Sequence, residues 1–229
     1  VIQGKATFED PHTVAVGDRK FSADHIVIAT GTRPRIPPDM SVDGKTVITS
    51  DDAVNLTNSP KSVLILGAGV IGCEFASMYN AVGTEVHLVD TRPRIMSNED
   101  SDISDFIQNA FDAVGIDVIP ASRYQSHTLY DEGVRTILSS GDIKTEMILL
   151  ALGRVPCTDN LGLEATGVAL DERNYVRVDA MARTNAPHIY AVGDVRKGSV
   201  KRVASSVGEG SVVVSDIHQA LAEIGAIVS

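Results

Sequence analysis

The sequence lacks the features that mark secreted, disulfide-bonded or membrane-spanning proteins. Tryptophan is absent, aromatic residues make up 4% of the chain, and only two cysteines occur among 229 residues. Cys73 and Cys157 lie far apart and outside any Cys-x-x-Cys or Cys/His ligand spacing, which predicts neither a disulfide framework nor a zinc site. No apolar run is long enough to span a bilayer. We therefore expect a cytoplasmic protein without a membrane partner, whose cysteines are packing residues.

Basic residues are also scarce. Twenty Lys and Arg stand against 30 Asp and Glu, and the formal net charge is −10 at pH 7. Because the basic residues do not cluster, a nucleic-acid partner is not expected. The six histidines have no spacing typical of metal ligands and no G-x-S-x-G element occurs, so metal chemistry and acyl transfer have no support. The length and a hydrophobic content of 43% predict one or two globular domains.

Turn residues divide the chain. Short β-type runs joined by Asp/Pro and Gly/Asp turns occupy residues 1–29, a pattern typical of an antiparallel meander. The prolines of residues 34–38 interrupt all regular structure and predict a domain boundary between about residues 32 and 60. A turn-rich pattern returns from residue 153, directly after the apolar run 146–152.

The clearest signal is a strand, a glycine-rich turn and a helix in immediate succession. The apolar run 62–66 is followed by GAGVIG at residues 67–72, by a helical stretch over 73–82, and by a second strand at 85–89. This order is the βαβ unit of a dinucleotide-binding α/β fold. A further amphipathic helix is predicted over 99–114.

Each glycine of this motif has a physical role in such a fold. Gly67 permits the tight turn, Gly69 lets the backbone approach a pyrophosphate, and Gly72 lets the helix pack closely against the strand. The helix start, with Val70 and Ile71, offers unpaired N–H groups to phosphates. The alternative interpretation is that the glycines only shape a strand-to-helix turn.

Two carboxylates near this unit are candidate functional groups. Asp90, at the end of the second strand, is placed to accept hydrogen bonds from an adenine ribose and to repel a 2′-phosphate. Arg92 and Arg94 follow it and could instead receive that phosphate, so NAD and NADP both stay open. Glu74, in the first turns of the helix, could face a nicotinamide, although a helix N-terminus stabilises a carboxylate in any case.

A second candidate pair, Gly193 and Asp194, follows the apolar strand 188–192. It places a carboxylate at the carboxyl edge of a sheet, where open α/β sheets bind ligands. A helix-capping aspartate is the competing interpretation.

Three segments together resemble the pyridine nucleotide-disulfide oxidoreductases, flavoproteins that bind two dinucleotides. The segments are IATGTRP at 28–34, GAGVIGCE at 67–74 and IYAVGD at 189–194. Within the family, residues 1–195 are most similar to the soluble transhydrogenase group and next to the dihydrolipoamide dehydrogenase group. The resemblance implies an α/β fold in which a Rossmann-like NAD(P)-binding domain, residues 61–152, is inserted into part of an FAD-binding domain with antiparallel β-meanders, residues 1–60 and 153–229.

The resemblance also implies FAD and NAD(P) as cofactors, with hydride transfer between nicotinamide and flavin. Asp194 would hold the FAD ribitol, Thr30 and Gly31 would lie near the FAD phosphates, and Glu74 would be catalytic, beside the stacked rings. A homodimer of the full-length protein stays open. The candidate cofactor-binding residues are Thr30, Gly31, Gly67, Gly69, Val70, Ile71, Gly72, Asp90, Arg92, Gly153, Gly193 and Asp194.

Two alternatives to a transhydrogenase-like oxidoreductase remain. The resemblance places the family's first glycine-rich FAD motif and its redox cysteine pair before Val1, so the chain is expected to be the later part of a longer polypeptide and to bind FAD weakly by itself. A Cys-x-x-x-x-Cys pair in the preceding part would favour a disulfide reductase related to dihydrolipoamide dehydrogenase or thioredoxin reductase. Loss of flavin altogether would leave a non-catalytic nucleotide-binding module.

Overall fold

A computed structural model describes residues 1–223 and 225 and divides the chain into two compact units. Unit 1 contains Val1–Arg33 and the chain from Val155 onward, and unit 2 is Pro34–Arg154. Residues 34–60 therefore belong with unit 2, whereas the sequence interpretation grouped them with the first segment. Residues 224 and 226–229 of the predicted segment 153–229 lie outside the described residues.

The described residues form fifteen strands and four α-helices. The strands are β1 (Ala6–Asp10), β2 (Thr13–Val16), β3 (Arg19–Ser22), β4 (Ile26–Ile28), β5 (Thr32–Pro34), β6 (Val47–Thr49), β7 (Ser62–Leu66), β8 (Glu85–Val89), β9 (Asp117–Ile119), β10 (Tyr124–Tyr130), β11 (Gly133–Leu138), β12 (Gly141–Thr145), β13 (Met147–Leu150), β14 (Arg154–Pro156) and β15 (Ile189–Ala191). The helices are α1 (Ser50–Ala53), α2 (Val70–Ala81), α3 (Ser101–Ala113) and α4 (Val203–Glu223).

Unit 2 is built on a five-stranded sheet in the order β6-β13-β7-β8-β9. All four pairings in this sheet are parallel. Strand β6 pairs with β13 at Ile48 opposite Leu149, which explains why the segment before residue 60 folds with unit 2. A three-stranded antiparallel sheet, β10-β11-β12, completes the unit.

The central strand β7 is buried on both faces. Val63 and Ile65 pack in one apolar cluster with Cys73 of α2, whereas Leu64 packs in another with Val134 of β11. Successive side chains of a strand point to opposite faces, so a strand covered by a helix on one side and a meander on the other reads as a continuous apolar run. This two-sided core fixes the end of β7, where the glycine-rich turn begins.

Unit 1 contains the predicted meander, β1-β2-β3, and a parallel pair formed by β4 and β15. Helix α4 is continuous through Gly208 and Gly210, and the Tyr190 hydroxyl of β15 donates to Asp216 of α4 at 2.9 Å. Arg183 forms an ion pair with the same carboxylate. Among the described residues, no helix combines the length and apolarity needed to cross a membrane.

Candidate functional site

The glycine-rich turn after β7 is shaped by two crowded glycines. Gly67 has φ +104°, a left-handed conformation, and a Cβ there would lie 2.5 Å from the carbonyl oxygen of Ala151. A Cβ at Gly72 would overlap the carbonyl oxygen of Gly67. These two positions therefore require glycine for the fold itself, whether or not a ligand binds.

Gly69 differs from both of its neighbours in the motif. Its backbone is extended, with φ −81° and ψ −170°, which any residue can adopt, and a Cβ there would meet nothing within 4 Å. The fold gives no steric reason for glycine at this position. Open space beside a glycine backbone is the feature through which dinucleotide-binding folds admit a pyrophosphate.

Helix α2 begins directly at this open space. Its first backbone bond runs from the Cys73 N–H to the Gly69 carbonyl at 3.0 Å, so the N–H groups of Val70, Ile71 and Gly72 precede the helical hydrogen-bond ladder. Gly69 is the N-cap residue and supplies no capping side chain. The N-terminus of α2 therefore presents N–H donors and the positive end of the helix dipole, a combination suited to an anion.

Asp90 lies behind this turn and is fully engaged within the protein. Its Oδ2 accepts the Ala68 N–H at 2.8 Å and Arg92 Nη2 at 3.2 Å. Its Oδ1 accepts the backbone N–H of Arg92 at 2.9 Å and Arg92 Nε at 3.1 Å. The side chain of Asp90 is 6% exposed, against 41% for Arg92. Asp90 thus fixes both the glycine turn and the orientation of the arginine.

The charge of Asp90 is maintained against burial. Burial opposes ionisation, but hydrogen bonds from the Arg92 side chain and from the N–H groups of Arg92 and Ala68 outweigh it and lower the pKa of the carboxyl. The Asp90 hydrogen bond in turn raises the pKa of Arg92. The site therefore contains an ion pair at neutral pH.

A cavity of about 230 Å³ opens beside the same strand ends. Leu66, Val89 and Met40 supply apolar walls, and Asp90 and Arg123 are among the polar residues that line it. Because open α/β sheets bind ligands outside the carboxyl ends of their strands, the cavity lies on the edge expected for a nucleotide.

Two other candidates of unit 2, Glu74 and Gly153, and the packing residue Cys73 lie within or near the motif. Glu74 is exposed in the first turns of α2 and is not among the residues that line the cavity. Gly153 has φ +93°, and its carbonyl accepts the Arg35 N–H at 2.9 Å. Burial raises the pKa of the Cys73 thiol to about 11, with Asp90 and Glu74 adding to the effect. Cys73 therefore lies in the core beneath the motif as a protonated packing residue.

The candidates of unit 1 lie in two hydrogen-bonded turns. Thr30 donates to the Cys157 carbonyl at 2.7 Å, and the Gly31 carbonyl accepts the Cys157 N–H at 2.9 Å. Asp194 accepts a hydrogen bond from the Thr32 hydroxyl at 3.2 Å. The chain segments around residues 30–32, 157 and 194 are thus joined within unit 1.

Gly193 is tied to helix α4 rather than left open. Its N–H donates to Glu209 Oε2 at 2.7 Å, and Arg196 binds both oxygens of that carboxylate, at 2.8 and 2.5 Å. The Arg196 hydrogen bonds lower the pKa of Glu209. Among the described residues, no group of three or more His, Cys, Asp or Glu side chains could hold a metal ion.

Residues 1–210 match the family described as pyridine nucleotide-disulphide oxidoreductase. The chain belongs to this family. The resemblance drawn from the three sequence segments is thereby confirmed, as is the α/β fold class with parallel and antiparallel sheets.

Relatives and solved structures of the family show how much of the chain the similarity covers. A soluble pyridine nucleotide transhydrogenase from Photorhabdus laumondii subsp. laumondii is 35% identical over 230 residues, covering 98% of this chain and 49% of that protein. The HOCl-induced flavoprotein disulfide reductase RclA from Escherichia coli superposes with a TM-score of 0.86 at 30% identity, covering 94% of this chain and 50% of that one. LpdA from Mycobacterium tuberculosis gives a TM-score of 0.82 at 28% identity, over 99% of this chain and 50% of that one. The chain therefore spans about half the length of these relatives.

The sequence analysis did not identify two features of the structure, namely the cavity residues Arg123 and Tyr124 and the hydrogen bond between Gly193 and Glu209. Arg123 and Tyr124 line the cavity because they follow β9, whose carboxyl end lies on the same sheet edge as those of β7 and β8. The rule that ligands bind outside the carboxyl ends of parallel strands could have indicated them, since they follow the end of β9 at Ile119. The bond from Gly193 to Glu209 has no signal in the sequence, because a distant helix supplies the carboxylate.

Proposed function

We propose that the chain binds a nicotinamide nucleotide at the glycine-rich turn of unit 2 and forms part of an FAD-dependent oxidoreductase that transfers hydride between NAD(P)H and flavin, in the manner of a soluble transhydrogenase. The observation that carries this proposal is the contrast within the motif: Gly67 and Gly72 are required by packing, whereas Gly69 borders open space. Gly69 also stands between a parallel strand and the start of a helix, the position at which a dinucleotide-binding fold brings a pyrophosphate against the backbone.

The surroundings of Gly69 fit a pyrophosphate in charge as well as in space. The N–H groups of Val70, Ile71 and Gly72 precede the first helical bond, and the helix dipole favours an anion there. The Asp90 carboxylate behind the turn is neutralised by Arg92 and therefore adds little repulsion. The residues present thus match the needs of a dinucleotide.

The cofactors would supply the redox chemistry, namely hydride exchange between a nicotinamide and a flavin ring. The chain's own residues would bind and orient them. Glu74, exposed beside the start of α2, would lie at the nicotinamide end, and Gly153 would border the nucleotide. In unit 1, Asp194 would hold the flavin ribitol, and Thr30 and Gly31 would lie near the flavin phosphates. We assign the activity to the cytoplasm, where both thiols stay reduced.

Calorimetric titration of the chain with NADH and NADPH tests the first part of this proposal. We expect binding of at least one nucleotide, and a loss of about tenfold or more in affinity for Gly69→Ala, because its new methyl group occupies the phosphate approach. Gly210→Ala is the matched control, since a Cβ there also meets nothing within 4 Å but lies in α4 of unit 1. Absence of binding at millimolar concentrations, or equal affinity of Gly69→Ala and the parent chain, would refute the nucleotide site.

A disulfide reductase is the second candidate function. It is favoured by the similarity in fold and sequence to RclA, which is described as a flavoprotein disulfide reductase. Purification of the full-length gene product separates the candidates. A bound-flavin spectrum with NADH-driven reduction of lipoamide supports the reductase, and a bound-flavin spectrum with transfer between NADPH and an NAD analogue supports the transhydrogenase. A colourless protein that still binds nucleotide indicates a non-catalytic module.

A further inference from the structure

Helix α3 exposes a row of apolar side chains that the described residues do not cover. Phe106 is 73% exposed, and Ile103 and Val114 on the same face are 49% and 56% exposed. Ala110 lies between them and is also exposed. Because residues three and four apart share one face of a helix, these four positions form a continuous row, which we call the α3 stripe.

The side of α3 that faces the core is a different one. Phe111 is buried there, Ile107 packs partly against the core, and the buried Ser104 hydroxyl donates to the Ile95 carbonyl at 2.5 Å. The helix therefore buries a serine while the Phe106 ring lies in solvent. A surface helix normally turns its large apolar residues inward, and a contiguous row of them on the outside is typical of a protein-interaction site.

The charge of α3 decides which partner fits the stripe. The helix and its N-cap contain four aspartates and no lysine or arginine, and the whole chain has a formal net charge of −10. The aspartates are Asp100, Asp102, Asp105 and Asp112. A second copy of the chain or an anionic lipid surface would therefore meet like charge beside the stripe. A segment with lysines or arginines beside its apolar residues would meet opposite charge instead.

From the stripe and its acidic border we propose that α3 binds a cationic amphipathic helix of a partner protein. Apolar side chains of that helix would pack on Ile103, Phe106 and Val114, and its lysines or arginines would face the aspartates. The stripe is about 16 Å long by the rise of an α-helix, which matches three turns of a partner helix. Phe106 is the anchor, because a large aromatic side chain that becomes buried contributes strongly to an interface. The proposal does not depend on the nucleotide site.

Two designed helical peptides of about 16 residues test this proposal. Both present the same row of leucines at helical spacing, and they differ only in the flanking positions, which are lysine in the basic peptide and glutamate in the acidic peptide. Fluorescence anisotropy gives the dissociation constant of each peptide for the chain. We expect the basic peptide to bind at least about tenfold more tightly, and the difference to narrow between about 50 mM and about 500 mM salt, because salt screens the aspartates.

Three variants separate docking on the stripe from unspecific attraction to an acidic protein. Phe106→Gln keeps every charge but removes the anchor, and should weaken the basic peptide at least about fivefold without changing the urea midpoint of the exposed site. Asp102→Asn, four residues before Phe106 and thus beside it on the helix, should reduce the difference between the two peptides. Met78→Gln is the matched control, since this α2 side chain is 59% exposed but lies outside the stripe, and the affinity for the basic peptide should not change.

Four outcomes would overturn the proposal. Equal affinity for the two peptides would remove the preference for a cationic partner, and an equal effect of Phe106→Gln and Met78→Gln would remove the stripe from the binding site. Sedimentation that shows a dimer of the chain, dissociated by Phe106→Gln, would assign the stripe to a second copy. Binding to the chain that is absent from the full-length gene product would show that the rest of that polypeptide covers α3.

Discussion

Strands β7 and β15 each lead into a glycine with positive φ, and the N–H groups of the two turns differ in their hydrogen-bond partners. After β7, Gly67 has φ +104°, and after β15, Gly193 has φ +73°. At the second turn the Glu209 carboxylate of α4 accepts the Gly193 N–H at 2.7 Å. At the first turn, the start of α2 has no capping side chain.

Each turn is nevertheless held by a carboxylate paired with an arginine. Asp90 with Arg92 holds the first turn through the Ala68 N–H, and Glu209 with Arg196 holds the second. The difference is that Asp90 binds behind the turn at residues 67–72 and leaves the helix start open, whereas Glu209 accepts the N–H of Gly193 itself. We call the first the open turn and the second, at Gly193–Val195, the closed turn. A carboxylate of the chain thus satisfies the N–H of Gly193 at the second turn, whereas the helix start at the first turn leaves its N–H donors accessible to an external anion.

The largest loss of stability is expected from a substitution at Gly72, the most crowded position of the open turn. Gly72→Ala places a Cβ on the Gly67 carbonyl oxygen, so we expect unit 2 to lose about 4 kcal/mol of stability or to fail to fold. Gly69→Ala should cost within about 1 kcal/mol, because the new methyl group meets only open space and glycine is merely a modest N-cap. Urea unfolding followed by circular dichroism measures both. Similar losses in the two variants would show that Gly69 is also structural.

The second largest loss of stability is expected when the ion pair between Asp90 and Arg92 is broken. Asp90→Asn removes the charge that binds Arg92 and the Ala68 N–H, and should cost about 2–3 kcal/mol at pH 7. The folded pKa of Asp90 is lowered, so its stabilisation is complete above the ordinary pKa of about 3.9 and is lost as pH falls through the folded value.

Unfolding free energies of Asp90→Asn and the parent chain should therefore differ most near pH 7 and converge below about pH 4. Urea titrations across this range measure the difference, and Asp112→Asn, which changes an exposed carboxylate near the end of α3, serves as the control with a small effect on stability at pH 7. A gap that persists unchanged at pH 3 would mean that the charge of Asp90 is not what holds the turn.

Sequence patterns predicted the open turn well because its determinants are local. The strands 62–66 and 85–89 match β7 and β8 to the residue, since continuous apolar runs bounded by turns leave little choice of register. The predicted helix 99–114 differs from α3 by one or two residues at each end, where helices commonly vary. The helix after the motif begins at Val70 rather than at residue 73, because the glycine-rich segment itself enters the first turn.

The remaining features depend on partners distant in the chain. Strands β6, β10 and β12 were missed because they are short or largely exposed and owe their conformation to neighbouring strands. Val176 forms isolated bridges to Leu170 and Arg196 outside any continuous strand, and this pairing also depends on segments distant in the chain. The sequence also did not predict that Asp90 accepts four hydrogen bonds from within the protein. It shows Arg92 two residues away, but not the turn that folds the Arg92 side chain back onto Asp90.

A smaller loss of stability is expected from a substitution of Glu209 at the closed turn. Glu209→Gln removes the charged partner of Arg196 but leaves an amide that still accepts the Gly193 N–H, so we expect a loss of about 1–2 kcal/mol. Nucleotide binding at unit 2 should be unchanged by this variant. Urea unfolding and NADH titration of the same preparation measure both quantities, and a matched loss of nucleotide affinity would contradict the purely structural role given to Glu209.

The smallest effect is a difference in thiol reactivity. It is measured on the unsubstituted chain, because each unit contains one cysteine. Cys73 is buried beneath the open turn and has its pKa raised to about 11, so roughly one thousandth of it is thiolate at pH 8. Cys157 is half-buried in unit 1 and more accessible. We expect iodoacetamide to label Cys157 at least tenfold faster than Cys73 in the folded chain, and both at similar rates in urea, as read by peptide mass spectrometry. Equal labelling rates without urea would show that the core under the glycine-rich turn opens readily. The interpretation of this turn as a rigidly packed support for an open helix start would then be wrong.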